Sequence, residues 1–98
     1  MAPPGFIEEG GWLLNRDPQP DTALLFECLA PGGHNLLSGD NRCEGLLPLG
    51  PVGWVNTVQK PGTVPLYRCA TGGDHFVSSD PRCEGTIVEG LLGFVIPN

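Results

Sequence analysis

Leu25-Phe26-Glu27-Cys28 leads on to Cys43-Glu44-Gly45, and the same wording returns as Leu66-Tyr67-Arg68-Cys69 leading on to Cys83-Glu84-Gly85. A histidine stands six positions after the first cysteine of each copy, at His34 and His75. Each second cysteine lies in Asp-x-Arg-Cys-Glu-Gly, from Asp40 to Gly45 and from Asp80 to Gly85. The register holds: Cys28 to Cys69 spans 41 residues and Cys43 to Cys83 spans 40. The triplets Gly11-Trp12-Leu13, Gly53-Trp54-Val55 and Gly93-Phe94-Val95 repeat at 42 and 40 residues. The aromatic therefore occurs three times and the cysteine block twice.

A unit of this size does not bury its apolar face alone, so neighbouring units pack together. The sequence predicts one small all-β domain, 1–98, of two tandem, disulfide-stapled β repeats of about 41 residues. Unit one covers about 24–60 and unit two about 65–98, with an N-terminal closing strand at about 8–16. The recurring aromatic makes the N- and C-terminal strands equivalent by sequence. Pseudo-twofold packing is the simplest arrangement; an open two-unit stack is the alternative and leaves unpaired strand edges.

The chain has 98 residues, 15 Gly, 11 Pro and a net charge of −6 with only five Lys plus Arg. A domain this small often needs covalent help to stay folded. No basic run exists, so nucleic-acid binding through phosphates is not expected. No stretch approaches the length of an apolar transmembrane helix. Met1-Ala2-Pro3-Pro4-Gly5 lacks the charged and apolar regions of a signal peptide, so the chain reads as a mature or excised domain.

Four cysteines in a turn-rich chain read as two disulfides, which places the protein outside the reducing cytosol. Three pairings exist. Locality favours Cys28–Cys43 with Cys69–Cys83; each closes a short loop, worth about 3 kcal/mol in the loop-entropy model. Structural zinc usually shows Cys-x₂₋₄-Cys ligand pairs. This chain has no Cys-x-x-Cys, and a Cys₂His set in each unit would lack a fourth ligand. No metal and no cofactor are expected.

Short strands are expected at 11–15, 24–28, 36–38, 53–58, 66–70, 75–79, 86–88 and 92–96, separated by Gly- and Pro-rich turns. Asp40 and Asp80 each precede a single helical turn that they cap.

Leu66-Tyr67-Arg68-Cys69, Gly73-Asp74-His75-Phe76-Val77-Ser78-Ser79-Asp80 and Glu89-Gly90-Leu91-Leu92-Gly93-Phe94-Val95 together resemble a repeat of unknown function found in secreted bacterial and fungal proteins, often beside hydrolase domains. Unit two matches from about Pro65 to Pro97. Unit one keeps His34, Asp40 and Trp54 but carries Gly33 where Asp74 would fall and Leu49-Gly50 for Glu89-Gly90. The resemblance implies an extracellular accessory module for carbohydrate or cell-wall surfaces.

Asp74, His75 and Asp80, with Tyr67 or Trp54 as an apolar wall, form the candidate ligand site. Each has a structural alternative. His34 and His75 can tie their loops to Asp40 and Asp80, and the three recurring aromatics suit core packing. Arg42 with Glu44, and Arg82 with Glu84, offer ion pairs beside the disulfides. Glu8, Glu9 and Glu89 lie near the closing strands, and carboxylates meeting in a cleft would raise acid–base chemistry. No nucleophile or phosphate-loop motif accompanies them, so an enzyme is not expected. The leading reading is a secreted, non-catalytic, lectin-like module that binds a glycan or cell-surface polysaccharide. The alternatives are a protein-interaction module (an inhibitor, an effector or an adhesion domain) and a structural repeat, which could form a homodimer by swapping terminal strands.

Overall fold

A computed structural model describes residues 2–98. Eight strands form one antiparallel sheet: β1 (Phe6–Glu9), β2 (Trp12–Asn15), β3 (Thr22–Leu29), β4 (Asn35–Ser38), β5 (Leu47–Asn56), β6 (Val64–Thr71), β7 (Asp74–Ser78) and β8 (Ile87–Pro97). Single 3₁₀ turns at Cys43–Gly45 and Cys83–Gly85 precede β5 and β8. No α-helix occurs among the described residues, as the spacing of Gly and Pro predicts. The disulfides are Cys28–Cys43 and Cys69–Cys83, as locality predicts, and no cysteine is free.

β3 pairs with β4 on one side and β5 on the other, and β6 likewise with β7 and β8. Register shifts fall at matching places, after Leu25 and Glu27 in β3 and after Leu66 and Arg68 in β6. These bulges let β5 and β8 run on through residues that read as breaks. β5 takes in Pro48, Gly50 and Pro51 and begins six residues before its expected start at Gly53; β8 joins two expected strands across Gly90. Proline costs a strand little where its missing N–H faces no partner. The hairpin strand β1, also not expected, pairs with β2 across the Gly10-Gly11 turn.

The inner strands meet in a ring of three. Asn15 of β2 lies opposite Trp54 of β5, Asn56 of β5 opposite Phe94 of β8, and Ile96 of β8 opposite Leu13 of β2. Three strands cannot all run antiparallel along their whole length, so each contact is short and the hairpins splay outward. The expected twofold does not describe these pairings. A twofold exchanging the units would turn Asn56–Phe94 into a Trp54–Ile96 pair, and Ile96 faces Leu13 instead. The terminal strands differ in extent and pairing. β8 pairs with β6 from Ile87 to Val95, whereas β2 is a four-residue strand hairpinned to β1. Trp12 lies opposite Pro97 of β8 as Trp54 lies opposite Asn15 and Phe94 opposite Asn56, so the recurring aromatic takes the same ring position in all three strands.

Close backbone approach makes the ring. A Cβ on Gly93 would lie 2.6 Å from Val55 Cγ2 and 2.9 Å from the Asn56 carbonyl oxygen; one on Gly53 would lie 3.0 Å from Leu14 Cβ. Asn15 Nδ2 donates to the Trp54 carbonyl and Asn56 Nδ2 to the Phe94 carbonyl, both at 3.1 Å. Leu14, Val55 and Val95 fill the centre with Leu25, Leu37 and Leu66, and Trp12 packs against them. At about 25 cal/mol per Å² of apolar surface, burial of six such side chains is the main stabilising term.

Candidate functional site

The second cysteine of each unit sits in a rigid turn. Asp40 accepts from the N–H groups of Arg42 (3.1 Å) and Glu44 (2.9 Å), and Asp80 from those of Arg82 (3.1 Å) and Glu84 (2.8 Å). Ser38 and Ser78 hydroxyls in turn accept from the Asp40 and Asp80 amides. Cys43 and Glu44 take positive φ, 52° and 56°, and the Ser38 hydroxyl of the same unit donates to the Glu44 carboxylate at 2.5 Å.

Glu44 reaches Arg68 of the other unit. Arg68 Nη1 and Nη2 donate to its two oxygens at 2.6 and 3.0 Å, Nη1 also donates to the Leu37 carbonyl (3.1 Å), and Nε donates to Glu89 Oε1 (2.8 Å). The bidentate geometry makes this the strongest kind of ion pair. The hydrogen bond from Arg68, then the one from Ser38, holds the Glu44 carboxyl down at about 2, and Glu44 holds the Arg68 guanidinium above its ordinary range. The expected pairs of Arg42 with Glu44 and Arg82 with Glu84 are not among the ion pairs of the described residues. The left-handed turn aims the glutamate outward, away from the arginine two residues before it.

The histidines also join the units rather than their own loops. His34 Nε2 lies 2.9 Å from His75 Nδ1, and His75 Nε2 lies 3.2 Å from Glu89 Oε1. A carboxylate accepts only, so with both rings neutral His75 carries its proton on Nε2 and His34 donates into Nδ1. The rings are 5.0 Å apart with 24° between their planes, which matches in-plane N–H···N contact rather than face-to-face stacking. The expected ties to Asp40 and Asp80 do not form, because both aspartates are occupied by backbone amides.

Beside this seam lies a cleft of about 140 Å³. Its polar lining is Glu9, Glu27, Asn35, Arg68 and His75, and its apolar wall is Leu36, Leu37, Phe76 and Val77. Asn35 Nδ2 donates to Glu27 Oε2 at 3.0 Å. Burial first, and the Glu27 charge second, push the Glu9 carboxyl above its ordinary range.

The five residues picked from sequence are not gathered in one place. His75 lines the cleft. Asp74, beside it in sequence, accepts from the His75 N–H at 2.8 Å and is exposed. Asp80 caps its turn, and Tyr67 is half-buried in β6 opposite Ser78. Trp54 lines a separate, more open groove with Ile7, Arg16, Leu24, Pro51, Val52 and Gly53. Sequence reasoning singled out Glu9 but passed over Glu27, Asn35 and Phe76. The signal that marks Glu27 is the charge reversal between matched blocks, Phe26-Glu27-Cys28 against Tyr67-Arg68-Cys69.

Among the described residues no group of three or more metal-ligating side chains forms, and no helix is long and apolar enough to cross a membrane. No family model, curated protein or solved structure matches the chain.

Proposed function

We propose that this chain is a secreted, non-catalytic module of two tandem disulfide-stapled repeats, and that it recognises carbohydrate in the cleft beside their seam. The cleft carries the reading. It sets two carboxylates and an amide, which suit sugar hydroxyls, against the apolar wall that includes Phe76, which suits the C–H face of a pyranose. The hydrogen-bonded seam fixes His75 and Arg68 in advance, so little ordering remains for binding to pay for. Two disulfides suit an oxidising compartment. The resemblance to repeats of secreted proteins points the same way. Of the residues chosen from sequence, the site centres on His75; Glu9, Glu27, Asn35 and Phe76 complete it.

The test is retention on a panel of immobilised polysaccharides. Wild type is retained on at least one polymer, and Phe76→Ala and Asn35→Ala each weaken that retention about tenfold with melting temperatures preserved. Folded wild-type protein that passes through every polymer unretarded ends the carbohydrate reading.

A second reading, a protein-interaction module, draws on one observation. Leu47 (59% exposed), Ile87 (66%) and Leu91 (52%) lie where β5 and β8 each have one edge without a strand partner. Such edges accept added strands. Cross-linking of the purified protein to itself through Ile87 or Leu47, absent with Ile87→Lys, would favour it.

A further inference from the structure

The long strands β5 and β8 share one register against their neighbours, and two matched positions differ in kind. Pro48 of β5 lies opposite Cys28 and Pro51 opposite Phe26; in β8, Val88 lies opposite Cys69 and Leu91 opposite Tyr67. Position 48 therefore answers to 88, and 51 to 91. A proline keeps its place in a ladder where its nitrogen faces away from the neighbouring strand. The two prolines thus mark the nitrogens that point to the outer edge, and β5 has no N–H to offer at either. Val88 and Leu91 put an N–H at the same places in β8.

The β8 edge is open at this stretch. On the side away from β6, β8 pairs with β5 at Phe94 and with β2 at Ile96 and Pro97, and among the described residues no strand takes Ile87 to Leu92. No turn or loop backbone bonds to it either. Ile87, Val88 and Leu91 are exposed there. Sheets protect such edges with proline or with a charge. The one charged residue of the stretch, Glu89, is turned to its own unit: Arg68 Nε donates to its Oε1 at 2.8 Å, and His75 Nε2 lies 3.2 Å from the same atom. The edge of unit one is guarded, and that of unit two is not.

We infer that the edge from Ile87 to Leu92 pairs with the same edge of a second copy of this chain, antiparallel about a twofold axis. The stretch Ile87-Val88-Glu89-Gly90-Leu91-Leu92 is complementary to itself when reversed. Ile87 then meets Leu92 and Val88 meets Leu91, so aliphatic side chains lie opposite aliphatic ones and the two free N–H positions exchange hydrogen bonds. Glu89 meets Gly90, so the two carboxylates are not set opposite one another, and each keeps the Arg68 of its own chain. The paired stretch continues an edge that already makes strand contacts at Phe94 and Ile96. Strands are added across the axis, not exchanged. This rests on the protein-interaction reading and narrows it to one edge and one partner.

The experiment is sedimentation velocity of the intact protein, disulfides in place, from about 5 to 500 μM, a range suited to a small interface. Wild type shifts from monomer to dimer across it. Val88→Pro combined with Leu91→Pro gives β8 the proline pattern of β5. That variant folds, because β5 holds prolines at the same register, and its dimer is weaker by about tenfold or more, the scale of the lost backbone hydrogen bonds. Ile87→Lys tests the same edge without proline, by a charge, and weakens the dimer about tenfold. Leu47→Lys makes the same charge change on the β5 edge and alters the dimer by less than about twofold. A dimer that Leu47→Lys weakens as much as Ile87→Lys, or that the folded double-proline variant retains, overturns the inference and leaves the protein-interaction reading standing. A monomer at every concentration overturns the inference and, with it, the self-association that supports that reading.

Discussion

Replacing Arg68 with methionine cuts the seam between the units while keeping the aliphatic stem. The guanidinium makes four hydrogen bonds, three of them to carboxylate oxygens, and its side chain is only 15% exposed. Breaking a fully buried pair costs about 3–5 kcal/mol, whereas an exposed pair is worth about 0–1. Glu44 is 44% exposed and Glu89 27%, so water screens the partners and recovers part of the loss. The Leu37 carbonyl loses a donor, and two carboxylates then face each other. We expect a net cost of about 2 kcal/mol. For a domain near 100 residues, that lowers the melting temperature by roughly 8–16 °C. The assay is scanning calorimetry with the disulfides intact, at about 0.05 and 0.5 M salt, run as a double-mutant cycle with Glu44→Gln. The cycle returns a coupling of about 1 kcal/mol that shrinks at high salt. A melting temperature within about 2 °C of wild type, or additive effects in the cycle, would show that the seam contributes nothing to stability.

Acid weakens the fold through the same contact. The Glu44 carboxyl lies at about 2 in the folded chain, below its ordinary value of 4.5, so its contribution is complete above about pH 5 and is lost as pH falls toward 2. Urea melts of wild type and Glu44→Gln therefore converge between about pH 5 and pH 2, and curves that stay parallel over that window would exclude this linkage. Gly93→Ala costs more than Gly53→Ala, about 3 against about 1 kcal/mol, because the added methyl meets Val55 Cγ2 at 2.6 Å rather than Leu14 Cβ at 3.0 Å. Thermal melts give the rank order, and a reversal would mean that the ring of strands is not so closely packed. Removing Cys28–Cys43 by a paired Cys→Ala change costs about 3 kcal/mol. Thiol titration of native wild type finds none free, and four reactive thiols would contradict the pairing.

The parts legible in the sequence share one physical trait: their partners are close along the chain. Cys28 and Cys43 are 15 residues apart, and short loops favour their own closure. Asp40 and Asp80 cap amides two and four residues on, so the motif Asp-x-Arg-Cys-Glu-Gly is enough to place them. Strand existence followed from turn chemistry. Strand extent did not, because whether Pro48, Pro51 or Gly90 ends a strand depends on which edge is left unpaired.

The seam was invisible for the opposite reason. Two matched units offer matched side chains, but the rotation between them decides which side chains meet. That rotation is set where backbones cross at Gly53 and Gly93 and where Asn15 and Asn56 bridge neighbouring strands, contacts made across about 40 residues of chain. It turned His34 toward His75 instead of Asp40, gave Glu44 to Arg68 instead of Arg42, and set Glu27 and Glu9 along one cleft. Sequence alone placed most of the strands and turns and favoured the two cross-links, whose geometry is local. Only the tertiary structure decided the ring of three strands and the charge lining of the cleft, because both arise from surfaces that the period of the repeat leaves unspecified.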